Sequence, residues 1–148
     1  MIMGVFQNPK VNIRFIVITY EECKTLIDSM KYGGFSDVFG VEKEAGKLNG
    51  IIAAVYQNVF GQEMYPSIEE KAANLLYFLI KDHPFVDGCK RIGASIFLEF
   101  LNKNQHLIIN GSQIISNSAL VAITLMIAES RPEEKETMVK LVMNFLKS

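Results

Sequence analysis

Tyr65–Asn104 reads YPSIEEKAANLLYFLIKDHPFVDGCKRIGASIFLEFLNKN, and its first half opens with a helix start. Ser67 is followed three residues later by Glu70, a capping-box spacing, and Glu69 and Glu70 put negative charge where the helix dipole is positive. Ile68, Ala72, Leu75, Leu76 and Leu79 then recur with the helical period and predict one buried stripe. The helix is expected to end near Asp82, because His83 precedes Pro84 and a residue before proline is driven out of the right-handed helical region. After a short polar loop, Ile92–Leu101 is apolar almost all the way round, apart from Ser95 and Glu99. Such a helix belongs in the middle of a domain. Helix, tight loop, buried helix is the unit around which the rest must pack, and the fold class it predicts is all-α.

Working outward, Thr19 and Glu22 form a second capping box, after a short apolar lead-in or strand at Arg14–Ile18. Cys23, Leu26, Ile27 and Met30 share one face of the helix that follows, which Gly33-Gly34 stops. A further helix is expected over about 42–58, with Leu48, Ile51, Ile52, Val55 and Val59 in period. Gly50 inside it costs about 1 kcal/mol relative to alanine, which suggests close packing. Phe60–Tyr65 reads as an ordered loop or small hairpin. Downstream, Asn102–Gly111 is a polar connection with a short strand at Leu107–Ile109. Helices at Asn117–Glu129 and Pro132–Leu146 close the chain, with Pro132 suited to a first helical position. The expected organisation is an irregular segment over 1–12 and one helical domain over 13–148.

The chain has 148 residues, 49% of them hydrophobic and 21% charged, which suits one globular domain with a real core. Formal net charge is -1, from 15 basic and 16 acidic side chains, so no basic nucleic-acid footprint is expected. Cys23 and Cys89 stand far apart, with neither a disulfide framework nor zinc spacing, and a reducing cytoplasm is the simplest location. Ile114–Ala128 is apolar but carries Ser116, Asn117, Ser118 and Thr124, and it falls short of the ~18 apolar residues of a membrane span. A buried helix and no membrane partner are expected there, and the N-terminus lacks a secretory signal pattern.

The chemistry is concentrated in His83–Arg91, HPFVDGCKR. Unpaired backbone N–H groups and the positive dipole end of the following helix make an anion site at Gly88–Arg91. Gly88 has no Cβ and lets backbone approach a phosphate. Lys90 and Arg91 add two cationic donors, and Arg91 can clamp phosphate oxygens in a bidentate fashion. Asp87 is a hard oxygen ligand suited to Mg2+, which is commonly held by one or two carboxylates plus substrate phosphates. His83 can serve as a base near neutral pH. Together these groups form a kit for transferring a phosphate-containing group.

HPFVDGCKR resembles the Fic/Doc signature, commonly written HPFx(D/E)GN(G/K)R, and the resemblance extends over Tyr65–Asn104. From about Arg14 to the C-terminus the chain is similar to the Fic/Doc part of RhuM-type virulence proteins, whereas Met1–Asn12 does not match. The resemblance implies a Fic/Doc-type helical domain with a small β-hairpin flap at Asn58–Tyr65, which aligns a target segment by strand addition. It implies His83 as the catalytic base, Asp87 as the Mg2+ ligand, and Gly88, Cys89, Lys90 and Arg91 as the ATP-binding residues, with Phe85 anchoring the loop in the core. AMP-transferring Fic proteins have glycine where this chain has Lys90, and a second arginine where it has Ala94. Lys90 matches the Doc pattern, which implies a reversed nucleotide and transfer of the γ-phosphate to a threonine of elongation factor Tu. A death-on-curing toxin paired with an antitoxin in trans is the expected setting. No (S/T)xxxE(G/N) restraint string occurs in the chain.

Cys89 departs from the pattern, standing where asparagine is usual. A thiol is a weak donor, and losing one preorganised donor can cost roughly a hundredfold in rate, so a nucleotide-binding fold with impaired turnover stands as an alternative beside AMP transfer by the Fic route. A thiol at a helix N-terminus can also have a lowered pKa and sense redox state, though a tolerated small substitution is the favoured reading. His106 reads as a solvated side chain in a polar connector, and Met126, Met138, Met143 and Phe145 as core.

Overall fold

The computed structural model describes residues 16–147, so the expectation for Met1–Asn12 and the first half of the Arg14–Ile18 lead-in lie outside the described residues. Among the described residues six α-helices follow in order: α1 (Tyr20–Lys31), α2 (Lys47–Val55), α3 (Ile68–Lys81), α4 (Cys89–Lys103), α5 (Asn117–Glu129) and α6 (Lys135–Leu146). Two two-stranded antiparallel hairpins interrupt them, β1 (Asn58–Val59) with β2 (Gln62–Glu63), and β3 (Ile108–Ile109) with β4 (Ser112–Gln113). The all-α expectation holds, including a small hairpin at the position of the flap.

α3 is the hub, packing against α2, α4, α5 and α6. Its buried surface is wider than one stripe, because Ala73, Asn74, Tyr77 and Ile80 are buried together with Ala72, Leu75, Leu76 and Leu79. Lys71 is also buried, at 0% exposure, and its ammonium donates to Glu63 of β2 at 2.5 Å and to the Tyr65 carbonyl. A buried ammonium is tolerated only with such partners. α4 lies against α3 at Gly93, where an added Cβ would come within 3.3 Å of Leu79. One face of α4 enters the core through Ile92, Ile96, Phe97, Phe100 and Leu101, while Ala94, Ser95 and Leu98 line a cavity. That second environment explains why the helix is apolar nearly all round.

The caps follow the sequence closely. Thr19 and Glu22 make both bonds of a capping box, whereas Ser67 accepts from the Glu70 amide without a reciprocal bond. α3 ends at Lys81 with Asp82 as its C-cap, and His83 turns the chain with φ of +47°. α5 occupies the expected range, and Pro132 opens a 3-10 turn that leads into α6.

Several expectations are corrected. α2 begins at Lys47 and not near residue 42, because Glu42 pairs with Phe85 and its carboxylate caps the Leu48 amide at 3.1 Å. Gly50 has no close neighbour, since an added Cβ there meets nothing within 4 Å. The Leu107–Ile109 strand is half of a hairpin turned by Asn110-Gly111, both with positive φ. His106 is not a free solvated side chain: its Nε2 lies 2.7 Å from the Leu146 carbonyl oxygen and 3.4 Å from Glu69, joining the end of α6 to the start of α3. Met126 and Phe145 are 47% and 40% exposed, while Met138 and Met143 pack partly against the core. No described helix is long and apolar enough to cross a membrane.

Candidate active site

The loop between α3 and α4 is built from three local constraints. His83 in the left-handed region swings the chain off α3, and buried Pro84 and Phe85 tuck it into the core, Phe85 at 1% exposure. Gly88, with φ of +94°, turns it into α4. The Cys89 thiol then donates back to the Phe85 carbonyl at 3.3 Å, closing the loop on itself.

A second segment, which the sequence reading passed over, braces this loop. Residues 35–43 run beside it, and three backbone hydrogen bonds tie the two together. The Gly40 amide donates to the Asp87 carbonyl at 3.0 Å, the Val86 amide to Val41 at 2.8 Å, and the Lys43 amide to Pro84 at 2.9 Å. Phe35 stacks on Phe39 with ring centroids 4.4 Å apart, and the Arg91 guanidinium lies over Phe35 at 4.8 Å. The Ser36 hydroxyl donates to Asp87 Oδ2 at 2.6 Å. No local periodicity signals such pairing between residues about fifty positions apart.

His83, Asp87, Gly88, Cys89, Lys90 and Arg91 all line one cavity of about 790 Å³ between the loop, α4 and α5. Their roles differ. His83, Asp87, Lys90 and Arg91 are exposed, and among the described residues no side chain caps the first turn of α4, so its leading amides keep their donor capacity. Cys89 is 7% exposed and its thiol is committed to Phe85. Burial pushes that thiol's pKa up, which runs against the lowered pKa that the less favoured redox-sensing reading of Cys89 would need. Packing within the fold gives a steric reason for glycine at position 88. A Cβ there would sit 2.5 Å from the Phe39 ring, on a backbone already in the left-handed region.

The opposite wall is apolar. Leu98 of α4 and Leu120, Val121 and Leu125 of α5 face the loop across the cavity. Val121, Leu125 and Met126 are exposed, so α5 is only half buried, which corrects the expectation of a buried helix. Ala94 lines the same cavity as Arg91. Among the described residues no cluster of three or more His, Cys, Asp or Glu side chains forms a self-contained metal site. Asp87 alone, with one carboxylate oxygen held by Ser36, fits a cation that takes most of its ligands from phosphate and water.

A helical domain with a tight signature loop opening into the N-terminus of a buried helix defines a family, and sequence comparison agrees: the model of the Fic/DOC family matches residues 18–101, and the chain belongs to that family. Toxin Doc of Mycolicibacterium smegmatis is 33% identical over 89 residues, which cover 60% of this chain and 61% of that protein. The chain is thus aligned to about three fifths of that relative's length. No solved structure matches the chain.

Proposed function

We propose that this protein transfers the γ-phosphoryl group of ATP to a hydroxyl of another protein, with ADP as the leaving product, and that it acts as the toxin of a toxin–antitoxin pair. The observation that carries the reading is that His83, Asp87, Lys90, Arg91 and Ala94 all line one cavity. Lys90 and Ala94 are the two positions at which the Doc pattern and the AMP-transferring Fic pattern part, and both fall on this cavity. The likeness to a Toxin Doc supports the same choice.

In this reading the first-turn amides of α4 and the Lys90 and Arg91 side chains hold the nucleotide phosphates. Asp87 would hold Mg2+, which when bound supplies charge neutralisation on the phosphate oxygens. His83 accepts the proton of the acceptor hydroxyl as its oxygen bonds to the γ-phosphorus and the bond to the β–γ bridging oxygen breaks. The β1–β2 hairpin presents an exposed edge to an extended target segment. A cytoplasmic translation factor is the proposed class of target, and an antitoxin acting in trans the proposed restraint.

Cys89 favours a second reading, a nucleotide-binding fold with little turnover, because the usual asparagine donor is missing there. Incubating the protein with Mg2+ and either γ-labelled or α-labelled ATP in a cell extract separates the cases. Protein label from the γ position alone is expected, and label from the α position alone would overturn phosphoryl transfer in favour of AMP transfer. Should neither label transfer, Cys89→Asn distinguishes impaired turnover, which it restores, from a purely binding fold.

A further inference from the structure

We propose that Ser36 is a positioning residue for the Asp87 carboxylate, so that the braced segment over 35–43 sets the cation affinity of the site. The proposal rests on the reading that Asp87 holds a divalent cation bridging the nucleotide phosphates. Three features of the geometry carry it. The Ser36 hydroxyl has a single proton, and at 2.6 Å it is donated to Oδ2 of Asp87, which fixes the carboxylate and leaves Oδ1 as the free ligating oxygen. Ser36 does not reach Asp87 from a loose loop: its carbonyl accepts from the Phe39 amide at 3.1 Å, and Phe39 is 1% exposed. The Gly40 amide holds the Asp87 carbonyl at 3.0 Å, so side chain and backbone of Asp87 are both fastened to the same short stretch.

The neighbouring residue extends the argument. Phe35 carries the Arg91 guanidinium on its ring face at 4.8 Å while stacking on Phe39. One segment therefore sets the position of the group that would ligate the cation and of the group that would bind the phosphates. Partners that orient a ligating group typically change metal affinity about 10- to 100-fold when removed. Ser36 and Asp87 are exposed to solvent, and water competes for the bond, which puts the expected effect at the lower end, on the order of tenfold.

The test measures binding by calorimetry with ATP as the probe, in the presence and absence of Mg2+, on the full chain carrying His83→Ala to prevent turnover. The readout is the ratio of the two affinities. Ser36→Ala is expected to lower the gain from Mg2+ on the order of tenfold while leaving Mg2+-free ATP binding unchanged, and Ser36→Thr to restore it. Asp87→Asn is the control for the underlying reading and should abolish the gain. If Asp87→Asn abolishes the gain and Ser36→Ala leaves it intact, the positioning role is wrong while the cation reading stands. Equal loss of ATP binding with and without Mg2+ in Ser36→Ala would also overturn the proposal, assigning Ser36 to general loop integrity. An undiminished gain in Asp87→Asn, or no ATP binding by the parent chain, overturns the cation reading and the proposal together.

Discussion

Gly88→Ala isolates the contact that shapes the turn into α4. Two costs add. The residue has φ of +94°, and an L side chain in left-handed backbone costs roughly 1–2 kcal/mol. The new Cβ would lie 2.5 and 2.6 Å from two carbons of the Phe39 ring, and overpacking of this kind costs about 1–3 kcal/mol. The sum is about 2–5 kcal/mol, a fall in Tm on the order of 10 °C for a domain of this size. Urea denaturation of Gly88→Ala, Phe39→Val and the double variant separates the two costs. Phe39→Val removes the ring carbons, so the double variant should be less destabilised than the sum of the singles by about 1–3 kcal/mol. Strict additivity, or a Gly88→Ala variant as stable as the parent, would refute the claim that the Phe39 ring dictates glycine at this turn.

Other substitutions probe separate parts of the fold. Gly50→Ala should stabilise the protein by about 0.5–1 kcal/mol, since the position is helical and open, and a lowered urea midpoint would contradict that reading. Lys71→Ala should cost about 3–5 kcal/mol, because it leaves Glu63 and the Tyr65 carbonyl without the buried ammonium, and near-parent stability would show the pair to be dispensable. Burial pushes the Cys23 thiol up to about 12, against about 8.5 in an unfolded chain. Its contribution is therefore intact below about pH 8.5 and is lost progressively as pH rises toward 12, because only the unfolded chain sheds the proton in that window. Cys23→Ala should flatten the decline in stability between neutral and alkaline pH, and an unchanged slope would dismiss the thiol as its source.

What the sequence shows plainly is what has a local cause. The Thr19–Glu22 capping box, the α3 C-cap at Asp82 before His83-Pro84, and the α5 range of Asn117–Glu129 all rest on residues within one turn of each other. Asn110-Gly111 was an equally local signal, a dipeptide that favours tight hairpin turns, and it accounts for the second hairpin that a single-strand reading missed. The braced segment had no such signature. Its bonds to Pro84, Val86 and Asp87 span more than forty residues, so neither the shortened α2 nor the Ser36–Asp87 contact could be inferred from spacing. The same holds for His106, whose partners Glu69 and Leu146 are distant in the chain. Within the signature loop, residue identity indicated which side chains carry chemistry but not their direction, and Cys89 faces the Phe85 carbonyl in the core and not the solvent.

The most direct measurement is intact-mass spectrometry of proteins from a cell extract after incubation with this chain and Mg-ATP, alongside the His83→Ala variant. The account predicts an acceptor protein that gains the mass of one phosphoryl group with the parent chain and not with His83→Ala. A gain of one nucleoside monophosphate would contradict the phosphoryl assignment. No mass gain with the parent or with Cys89→Asn would contradict transfer chemistry at His83–Arg91 altogether.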